Sequence, residues 1–317
     1  MSGANSATAF APASIGNVGV GFDMLGLAIE GAGDRVSARR VDAEGVTVAE
    51  VRGLNGEIHP YLSTESDHNT ASIAAAAFWK DYGDGDGVEL IVHKGVPLQS
   101  GMGSSAASAV AAVVAVNALI EKPHPPADLL HYAIEGEQYA SGGRHADNVA
   151  PSLIGGLVFC PMNLLPNTIS LHTPEGVSSV LIHPELQVNT AHARRGLARG
   201  YSLEQWIEQQ SYLGGFIAAC ERNDLELMAA CLHDIVIEPQ RAAAVPCFEG
   251  VKRAAMSNGA LGCSLSGSGP SIFALCANKD ATKISMAMEQ ECRNHGYVCQ
   301  SYVSSMTARG AFLEDAE

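Results

Sequence analysis

The chain has 317 residues, of which 47% are hydrophobic and 17% are charged, and its formal net charge at pH 7 is -15. This length and composition predict a folded protein of one large domain or two ordinary ones, and they exclude a disordered chain. The negative charge argues against nucleic acid or an anionic membrane as a partner, so an anionic ligand must be met by individual positive side chains.

Cysteine usage and hydropathy indicate where the protein works. Eight cysteines lie scattered between Cys160 and Cys299 without a C-x-x-C pair, which favours reduced, mostly buried thiols over a disulfide or zinc scaffold. The first ten residues show no basic region followed by an apolar run, so no secretory signal is predicted. The most apolar run, 106–120, is interrupted by Ser108 and Asn117 and is shorter than a bilayer span. These features predict a cytoplasmic protein without a membrane partner.

The chain begins with a predicted short strand that enters a loop at Pro12, and a second strand resumes over 25–29. Between them lies a glycine-containing segment with Asn17 at its start and Asp23 at its end. Two interpretations fit this segment equally well. It forms a hairpin turn without any function, or it forms part of a pocket into which both polar side chains point. The segment alone favours neither interpretation.

The rest of the first half is predicted to alternate strands and helices. Residues 35–52 alternate apolar and polar side chains, as antiparallel strands do. An alanine-rich helix is predicted over 69–79, with Asp67 or Asn69 as its cap. The other predicted elements are a strand over 88–93 and a helix over 106–120.

The loop between that strand and that helix is the strongest candidate for a functional site. Its residues are Pro97, Leu98, Gln99, Ser100, Gly101, Met102, Gly103, Ser104, Ser105, Ala106 and Ala107. Small residues here let backbone N–H groups approach an anion, and the start of the helix adds unpaired donors and the positive end of its dipole. Gly101 and Gly103 permit unusual dihedral angles, while Ser104 and Ser105 supply hydroxyls. The loop therefore predicts a phosphate-binding site.

Three alternatives to a phosphate-binding site fit parts of this loop. A serine N-cap on a buried helix would need no ligand. The pattern Gly101-x-Gly103-x-x-Ala106 fits a loose dinucleotide-binding fingerprint, but the proline-containing segment 121–126 follows the helix where that fold needs a strand. Residues 103–107 approach the G-x-S-x-G elbow of serine hydrolases but lack its final glycine. A Walker loop is excluded because the chain has no Gly-Lys-Ser/Thr.

A cluster of polar residues accompanies the next predicted helix, 128–139, and the apolar strand predicted within 155–159. Its members are Glu135, Glu137, His145, Asp147 and Asn148. A lone carboxylate on a helix is usually a surface charge, but several polar groups beside a Gly-Gly pair are typical of a site. A carboxylate here is a reasonable Mg²⁺ ligand, because Mg²⁺ prefers oxygen and uses one or two carboxylates together with phosphate.

The character of the sequence changes near Asn163, which predicts a domain boundary between 1–162 and 163–317. The second half is predicted to form a small α+β unit. Its predicted strands cover 179–183, 186–190, two segments around Ser264–Pro270, and 297–304, and its predicted helices cover 203–222, 225–235, 247–257 and 280–294.

Three motifs stand in a fixed order along the chain: Pro12–Asp23, Pro97–Ala107 and Ser266–Pro270. Together they resemble the superfamily of galactokinases, homoserine kinases, mevalonate kinases and phosphomevalonate kinases. Within it the sequence is most similar to the homoserine kinases. That similarity lies in four stretches: Pro12-Ala13-Ser14 with Asn17 and Gly21-Phe22-Asp23, Asp147-Asn148-Val149-Ala150-Pro151, Thr190-Ala191-His192-Ala193-Arg194 and Glu238-Pro239-Gln240-Arg241. The resemblance covers 11–310, with Met102 where the superfamily commonly has leucine.

This resemblance implies ATP-dependent phosphorylation of the hydroxyl of L-homoserine to O-phospho-L-homoserine in threonine biosynthesis, with Mg²⁺ as cofactor. It implies an α+β fold of two domains, an N-terminal ribosomal-protein-like α/β part and a C-terminal ferredoxin-like part, with both substrates in the groove between them. It also implies a homodimer. By the same resemblance, Ser105 and Glu137 are Mg²⁺ ligands and Asn69 lies near the adenine.

The charges of homoserine match individual residues of the sequence. Its carboxylate needs a cation, and Arg194 and Arg241 supply guanidiniums suited to planar forks, although either alone is more often a surface ion-pair partner. Its ammonium needs an anion, which Asp23 supplies. Asn17 and His145 can hydrogen-bond the hydroxyl or the ammonium.

Two further contacts are expected at the substrate. The segment 266–270 is predicted to form a backbone nest that includes Gly267, although a glycine-rich hairpin accounts for it equally well without the other motifs. Thr190 opens one of the stretches similar to homoserine kinases and is expected there too.

For the transfer itself, we hypothesise direct attack by the substrate hydroxyl, with Asn17, His145 and Asn148 orienting it and no dedicated base. Two alternatives to a homoserine kinase stay open: a related kinase for another hydroxy acid such as mevalonate, and a nucleotide-binding regulator that has lost catalysis.

Overall fold

The computed structural model describes residues 4–198 and 200–315, and these fold around two β-sheets. The strands are β1 (Ser6–Gly16), β2 (Leu25–Val41), β3 (Val46–Arg52), β4 (Gly87–His93), β5 (Leu157–Phe159), β6 (Ile169–Ser170), β7 (Val177–Pro184), β8 (Gly262–Leu265), β9 (Ile272–Ala277), β10 (Cys299–Ser305) and β11 (Phe312–Leu313). The α-helices are α1 (Thr70–Tyr82), α2 (Ser104–Asn117), α3 (Pro126–Ser141), α4 (Val149–Ile154), α5 (Thr190–Arg195), α6 (Leu203–Arg222), α7 (Leu225–Cys231), α8 (Glu238–Arg241), α9 (Phe248–Ser257) and α10 (Ala281–Asn294).

The two sheets carry separate helical layers. The first has the strand order β11-β1-β2-β4-β3, with β5 paired to the start of β2 and β6 paired to β5. The second has the order β10-β7-β9-β8. Helices α1, α2 and α3 pack against the first sheet, and α9 and α10 pack against the second. This arrangement confirms the α+β class.

The prediction of antiparallel strands over 35–52 is right for β2 and wrong for β3. Strand β2 is antiparallel to β4, but β3 runs parallel to β4. Helix α1 lies between β3 and β4 in sequence, and such a crossover returns the chain in the same direction. Alternation of side chains gives the faces of a strand but not the direction of its neighbour.

The expected loop at Pro12 is also wrong, because β1 continues through it to Gly16. The pairing of β1 with β2 shifts register between Pro12 and Ser14. A bulge of this kind accommodates a proline, which cannot donate to the ladder. Strand β2 is likewise one long strand, which extends from Leu25 well beyond Ile29.

Two predictions near the second sheet, a strand over 186–190 and a helix over 225–235, are wrong, and capping side chains explain both. Residues 186–189 form no strand, because Asn189 accepts the N–H of His192 at 2.9 Å and starts helix α5 at Thr190. Helix α7 ends at Cys231, before the predicted end at 235. The side chain of Asp234 accepts N–H groups at the start of α8, which separates the two helices.

A shared apolar cluster joins the halves of the molecule. It includes Ile15 and Leu27 from the first sheet, Phe216 from α6 and Phe273 from the second sheet, all fully buried. The loops at this junction are therefore held in a fixed relation to both sheets. Strands β6 and β11 complete the first sheet, although both lie within 163–317.

The cysteines agree with the expectation of reduced, mostly buried thiols. Seven are buried and Cys299 is half-buried, and all eight are free thiols in the part of the chain that the structure describes. Among the described helices, none combines the length and the apolar character that a membrane crossing requires.

Candidate active site

Three segments that are distant in sequence meet where the sheets adjoin and are tied together by hydrogen bonds. They are the end of β1, the loop between β4 and α2, and the loop between β8 and β9. The contacts are Ser14 N–H to the Met102 carbonyl (3.0 Å), Gly267 N–H to the Gly16 carbonyl (3.1 Å), Ser266 Oγ–H to the Gly101 carbonyl (2.6 Å) and Ser271 N–H to the Ser100 carbonyl (3.0 Å). The three sequence motifs therefore form one structural unit.

Gly101 and Gly103 have positive φ angles of 77° and 68°. A Cβ atom at 101 would lie 2.4 Å from the Ser266 carbonyl oxygen, and one at 103 would lie 2.5 Å from Ser14 Oγ. Both distances are far inside van der Waals contact, so only glycine fits where the other segments pack against this backbone. These glycines serve the packing of the loops as well as the approach of an anion.

Gly101→Ala is expected to lower the free energy of unfolding by about 2–3 kcal/mol more than Gly45→Ala does. Gly45 has a similar φ of 74°, but a Cβ there would have no described atom within 4 Å. Both substitutions introduce the same backbone strain, and only Gly101→Ala also clashes with the loop after β8. The difference between the two variants therefore measures the effect of the clash. Urea unfolding measures the difference, and equal destabilisation of the two variants would contradict the packing.

Helix α2 begins directly after this loop, with Gly103 in the left-handed conformation as its N-cap. A glycine cap has no side chain to accept the first N–H groups, so the alternative of a serine N-cap is excluded. Ser104 Oγ instead donates to the Val96 carbonyl at 2.9 Å. The start of this 14-residue helix borders the cavity described below, which favours an anion there.

A buried ion pair supports the base of the loop, and sequence reasoning missed it. Lys94 Nζ contacts Asp34 Oδ2 and also donates to the Ser104 carbonyl and to Ser108 Oγ, both at 2.8 Å. Asp34 Oδ1 accepts the two backbone N–H groups that follow Lys94. The pair therefore fixes the entry of the loop relative to the first turn of α2.

These elements surround a cavity of about 310 Å³. The predicted site residues that line it are Asn17, Asp23, Asn69, Leu98, Gln99, Ser100, Gly101, Gly103, Ser104, Ser105, Glu137, His145, Asn148, Thr190, Arg194, Arg241 and Gly267. Pro97, Met102, Ala106 and Ala107 are not among its lining residues, and the last three are fully buried. Lys94 and Asp147 line the cavity as well.

One end of the cavity carries opposite charges side by side. The guanidinium of Arg194 donates to both carboxylate oxygens of Asp23, at 2.7 and 2.6 Å, and this pairing raises the pKa of Arg194. Arg241 donates to the Gly267 carbonyl at 2.8 Å. The Nε atoms of both arginines are buried without a hydrogen-bond partner among the described residues. Each arginine therefore keeps an N–H group that has no acceptor among the described residues.

Asn17 links this end to the rest of the site. It has a positive φ of 67°, its side-chain amide donates to the Gly267 carbonyl at 3.1 Å, and its side-chain oxygen accepts the N–H of Asp23 at 3.1 Å. Thr190 Oγ1 lies 3.2 Å from Ser268 Oγ in the same region. The polar residues of the end of β1, the start of α5 and the loop after β8 thus face one space.

His145 and Asp147 form a buried pair on the cavity wall, with His145 Nδ1 at 2.9 Å from Asp147 Oδ1. Burial alone would lower the pKa of His145, but the hydrogen bond and the charge of Asp147 outweigh it and raise that pKa to about 9. The imidazole is therefore protonated at neutral pH. Its Nε2 is buried and finds no acceptor within the described ranges, so a residue of the cavity wall carries an N–H donor without a partner.

The protonation of His145 predicts a pH-dependent stability. Because the pKa in the folded protein lies above the ordinary 6.5, the stabilisation is complete below pH 6.5 and is lost as pH rises toward 9. We expect the free energy of unfolding to fall by up to about 3 kcal/mol across this window. Denaturant titrations from about pH 6 to about pH 9.5 measure it. His145→Gln should flatten this part of the profile, and substitution of the exposed His192 by Gln should not.

Ser105 and Glu137 meet at the start of α2. Ser105 Oγ donates to Glu137 Oε2 at 2.5 Å, and burial raises the pKa of the Glu137 carboxyl. A hydroxyl and a carboxylate beside a helix N-terminus are the hard oxygen donors that Mg²⁺ prefers next to phosphate. The donor set therefore fits a Mg²⁺ ion.

Comparisons with known proteins decide the family. Models of the GHMP kinases match twice, the N-terminal domain over residues 69–156 and the C-terminal domain over 216–294. A homoserine kinase of Xylella fastidiosa (strain M12) is 40% identical over 312 residues, covering 98% of this chain and 94% of that protein. The crystal structure of homoserine kinase from Cytophaga hutchinsonii matches with a TM-score of 0.92 at 39% identity, covering 98% of each chain. The chain belongs to the homoserine kinase family of GHMP kinases.

Family membership confirms the resemblance seen in the three motifs and the two-domain GHMP kinase fold. A second relative, the homoserine kinase of Xanthomonas campestris pv. campestris (strain B100), is 39% identical over 312 residues and covers 98% of this chain and 95% of that protein. Membership of a kinase family implies ATP as a substrate.

The opposite end of the cavity from the arginines is less polar. Val51, Leu62 and Val92 line it together with His68 and Tyr139, whose rings lie 6.4 Å apart. Such a mix of apolar and ring surfaces suits a purine base.

Asn69 lies at this end too, but its side chain is engaged within the protein. Its oxygen caps α1 by accepting the N–H of Ala71 at 3.0 Å, and its amide donates to the Ser63 carbonyl at 2.9 Å. The predicted cap is thus confirmed, and Asn69 shapes the wall of the cavity.

Proposed function

We propose that this chain transfers the γ-phosphoryl group of ATP to the side-chain hydroxyl of L-homoserine, giving O-phospho-L-homoserine and ADP in threonine biosynthesis. The observation that carries the proposal is a single cavity whose wall includes both the start of α2, which favours an anion, and the opposite charges of Asp23 and Arg194. Homoserine kinase relatives at about 40% identity over nearly the whole chain support the same substrate.

The charges of the cavity suit a zwitterionic alcohol. The substrate carboxylate would accept from the free edges of Arg194 and Arg241, and its ammonium would donate to Asp23. Asp23 and Arg194 neutralise each other in the structure, so binding of a zwitterion exchanges one ion pair for two. A sugar carries no charges to make that exchange, and mevalonate has no ammonium for Asp23.

The phosphate end supplies positioning and neutralisation of charge. The loop backbone and the first N–H groups of α2 would bind the ATP phosphates, and Ser105 and Glu137 would hold Mg²⁺. The ion would offset phosphate charge. Lys94 lines the same wall, and its ammonium, paired with Asp34, holds the Ser104 carbonyl at the first turn of α2.

Asn17, His145 and Asn148 would orient the hydroxyl group of the substrate. The protonated Nε2–H of His145 can donate to the hydroxyl oxygen but cannot accept its proton. Asn148 is fixed by Ser14 Oγ, which donates to its side-chain oxygen at 3.0 Å. The hydroxyl oxygen would attack the γ-phosphorus directly while the bond to the bridging oxygen of ADP breaks, and the hydroxyl proton would pass to a non-bridging oxygen of the transferred phosphoryl group.

A dedicated base is not required by this arrangement. Asp147 lines the cavity beside His145, but its Oδ1 is bound to His145 and its Oδ2 accepts the N–H of Asn17 at 3.1 Å. Burial would raise the pKa of Asp147, yet the His145 imidazolium holds it below its usual value, which makes the carboxylate a poor acceptor of protons. Asp147 therefore positions His145 and the end of β1.

A coupled ADP-release assay with homoserine, mevalonate, galactose and threonine tests the substrate. Release that depends on homoserine, and exceeds that with the other three alcohols, is the expected result. Faster release with mevalonate would reassign the substrate, and no release with any alcohol would favour a nucleotide-binding regulator without catalysis.

We extend the proposal to organisation and location. Residues 1–162 form the nucleotide-binding domain and residues 163–317 the domain that completes the substrate groove. The second sheet and the arginines in α5 and α8 lie wholly within 163–317, and all strands of the first sheet except β6 and β11 lie within 1–162, which supports this division. The protein acts in the cytoplasm as a homodimer, which rests on family resemblance and on the free thiols.

A further inference from the structure

Phe22 occupies a position between the two arginines of the substrate end. It lies in the turn between β1 and β2, next to Asp23. The guanidinium carbon of Arg241 is 5.1 Å from the centre of its ring, and that of Arg194 is 5.4 Å away. One half-buried aromatic ring thus contacts both cations that face the substrate carboxylate.

The two guanidiniums need such a partner because they repel each other. Burial lowers the pKa of Arg241, and the charge of Arg194 lowers it further. Arg194 is held by the carboxylate of Asp23, whereas Arg241 donates to the neutral carbonyl of Gly267. An aromatic face attracts each cation through its quadrupole without consuming a hydrogen-bond donor. The ring can therefore hold both groups together and leave their free edges for a ligand.

We propose that Phe22 is a specificity-determining positioning residue, whose ring holds Arg194 and Arg241 side by side as the binding site for the carboxylate of the amino-acid substrate. The inference rests on the proposed function, because it names the substrate group that the two arginines bind. Phe22 acts through the arginines and not on the reacting atoms.

The surroundings of Phe22 make the proposal testable by substitution. The ring borders a second cavity of about 410 Å³, lined also by Arg194, Val20, Trp206 and Ile237. The ring is half-buried beside this cavity, so a smaller side chain would leave no enclosed void in a packed core. Phe22→Leu should therefore fold. Leucine keeps the apolar character and removes the quadrupole, whereas Phe22→Tyr keeps the aromatic face.

Steady-state kinetics with the full chain test the proposal. In Phe22→Leu the KM for L-homoserine should rise about tenfold, while kcat and the KM for ATP stay within about twofold. Phe22→Tyr should keep the KM for homoserine within about twofold of the wild type. A general structural defect would instead change kcat and both KM values together and lower the midpoint of thermal unfolding.

Three results would overturn the role of the ring: an unchanged KM for homoserine in Phe22→Leu, an equal rise in the KM for ATP, or failure of tyrosine to restore the wild-type value. Wild-type turnover reports separately on the proposed function. If the wild type phosphorylates homoserine and the leucine variant has the same KM for homoserine, this inference fails and the proposed function stands.

Discussion

Glu137→Gln is expected to reduce kcat for ATP-dependent phosphorylation by at least about 100-fold. Glu137 is buried on α3 and accepts the Ser105 hydroxyl at the start of α2, where we propose that the ATP phosphates bind. The amide keeps the size of the side chain and a hydrogen-bond acceptor for Ser105 but removes the charge that, in the proposed function, would hold Mg²⁺. The loss should therefore fall on the transfer step and not on the fold.

The measurement is kcat as a function of Mg²⁺ concentration, with thermal unfolding as a check on the fold. Substitution of Glu135 by Gln provides the matched control, because Glu135 lies on the same helix and is exposed. That variant should keep wild-type kcat and Mg²⁺ dependence. A Glu137→Gln enzyme with near-normal kcat at the same Mg²⁺ concentration would remove Glu137 from the metal site.

Asp34→Ala is expected to lower the free energy of unfolding by about 3–5 kcal/mol. The substitution leaves the ammonium of Lys94 buried without its counter-charge, and it also removes the acceptor of the two N–H groups that start the loop. An uncompensated charge in a buried site is far more costly than the loss of an exposed pair. Guanidinium unfolding gives the free energy.

Glu89→Ala is the control for this prediction, because Glu89 pairs with Arg39 across the same two strands but in solvent. Its effect should be below about 1 kcal/mol. The double variant Asp34→Ala/Lys94→Met removes both charges and should be more stable than Asp34→Ala alone. Equal effects of Asp34→Ala and Glu89→Ala would show that the Lys94 pair does not support the loop.

Local signals in the sequence were sufficient for the elements with strong caps or glycine patterns. The helix capped by Asn69, the strand before Pro97 and the helix after Gly103 were predicted within a few residues of their observed bounds. The three motifs also predicted that Asn17, the glycine-rich loop and Gly267 would share a site, and they line one cavity. Such residues can be predicted from the sequence because turns, caps and close backbone contacts restrict the residue types that fit there.

Features that depend on distant partners could not be predicted in this way. Lys94 follows a strand and resembles an ordinary surface lysine, and only the fold shows Asp34 beside it. The parallel pairing of β3 with β4 and the return of β11 to β1 are likewise set by tertiary packing. The direct pairing of Asp23 with Arg194 was not predicted either, because the two residues are far apart in sequence.

The identity of the phosphorylated product can be read from the phosphorus NMR spectrum of the purified chain with ATP, Mg²⁺ and L-homoserine. We expect a new phosphate monoester, identified by mass spectrometry as O-phospho-L-homoserine, that forms in equal amount to ADP. Formation of ADP and inorganic phosphate without the ester, or no change in the ATP signals, would contradict transfer to homoserine.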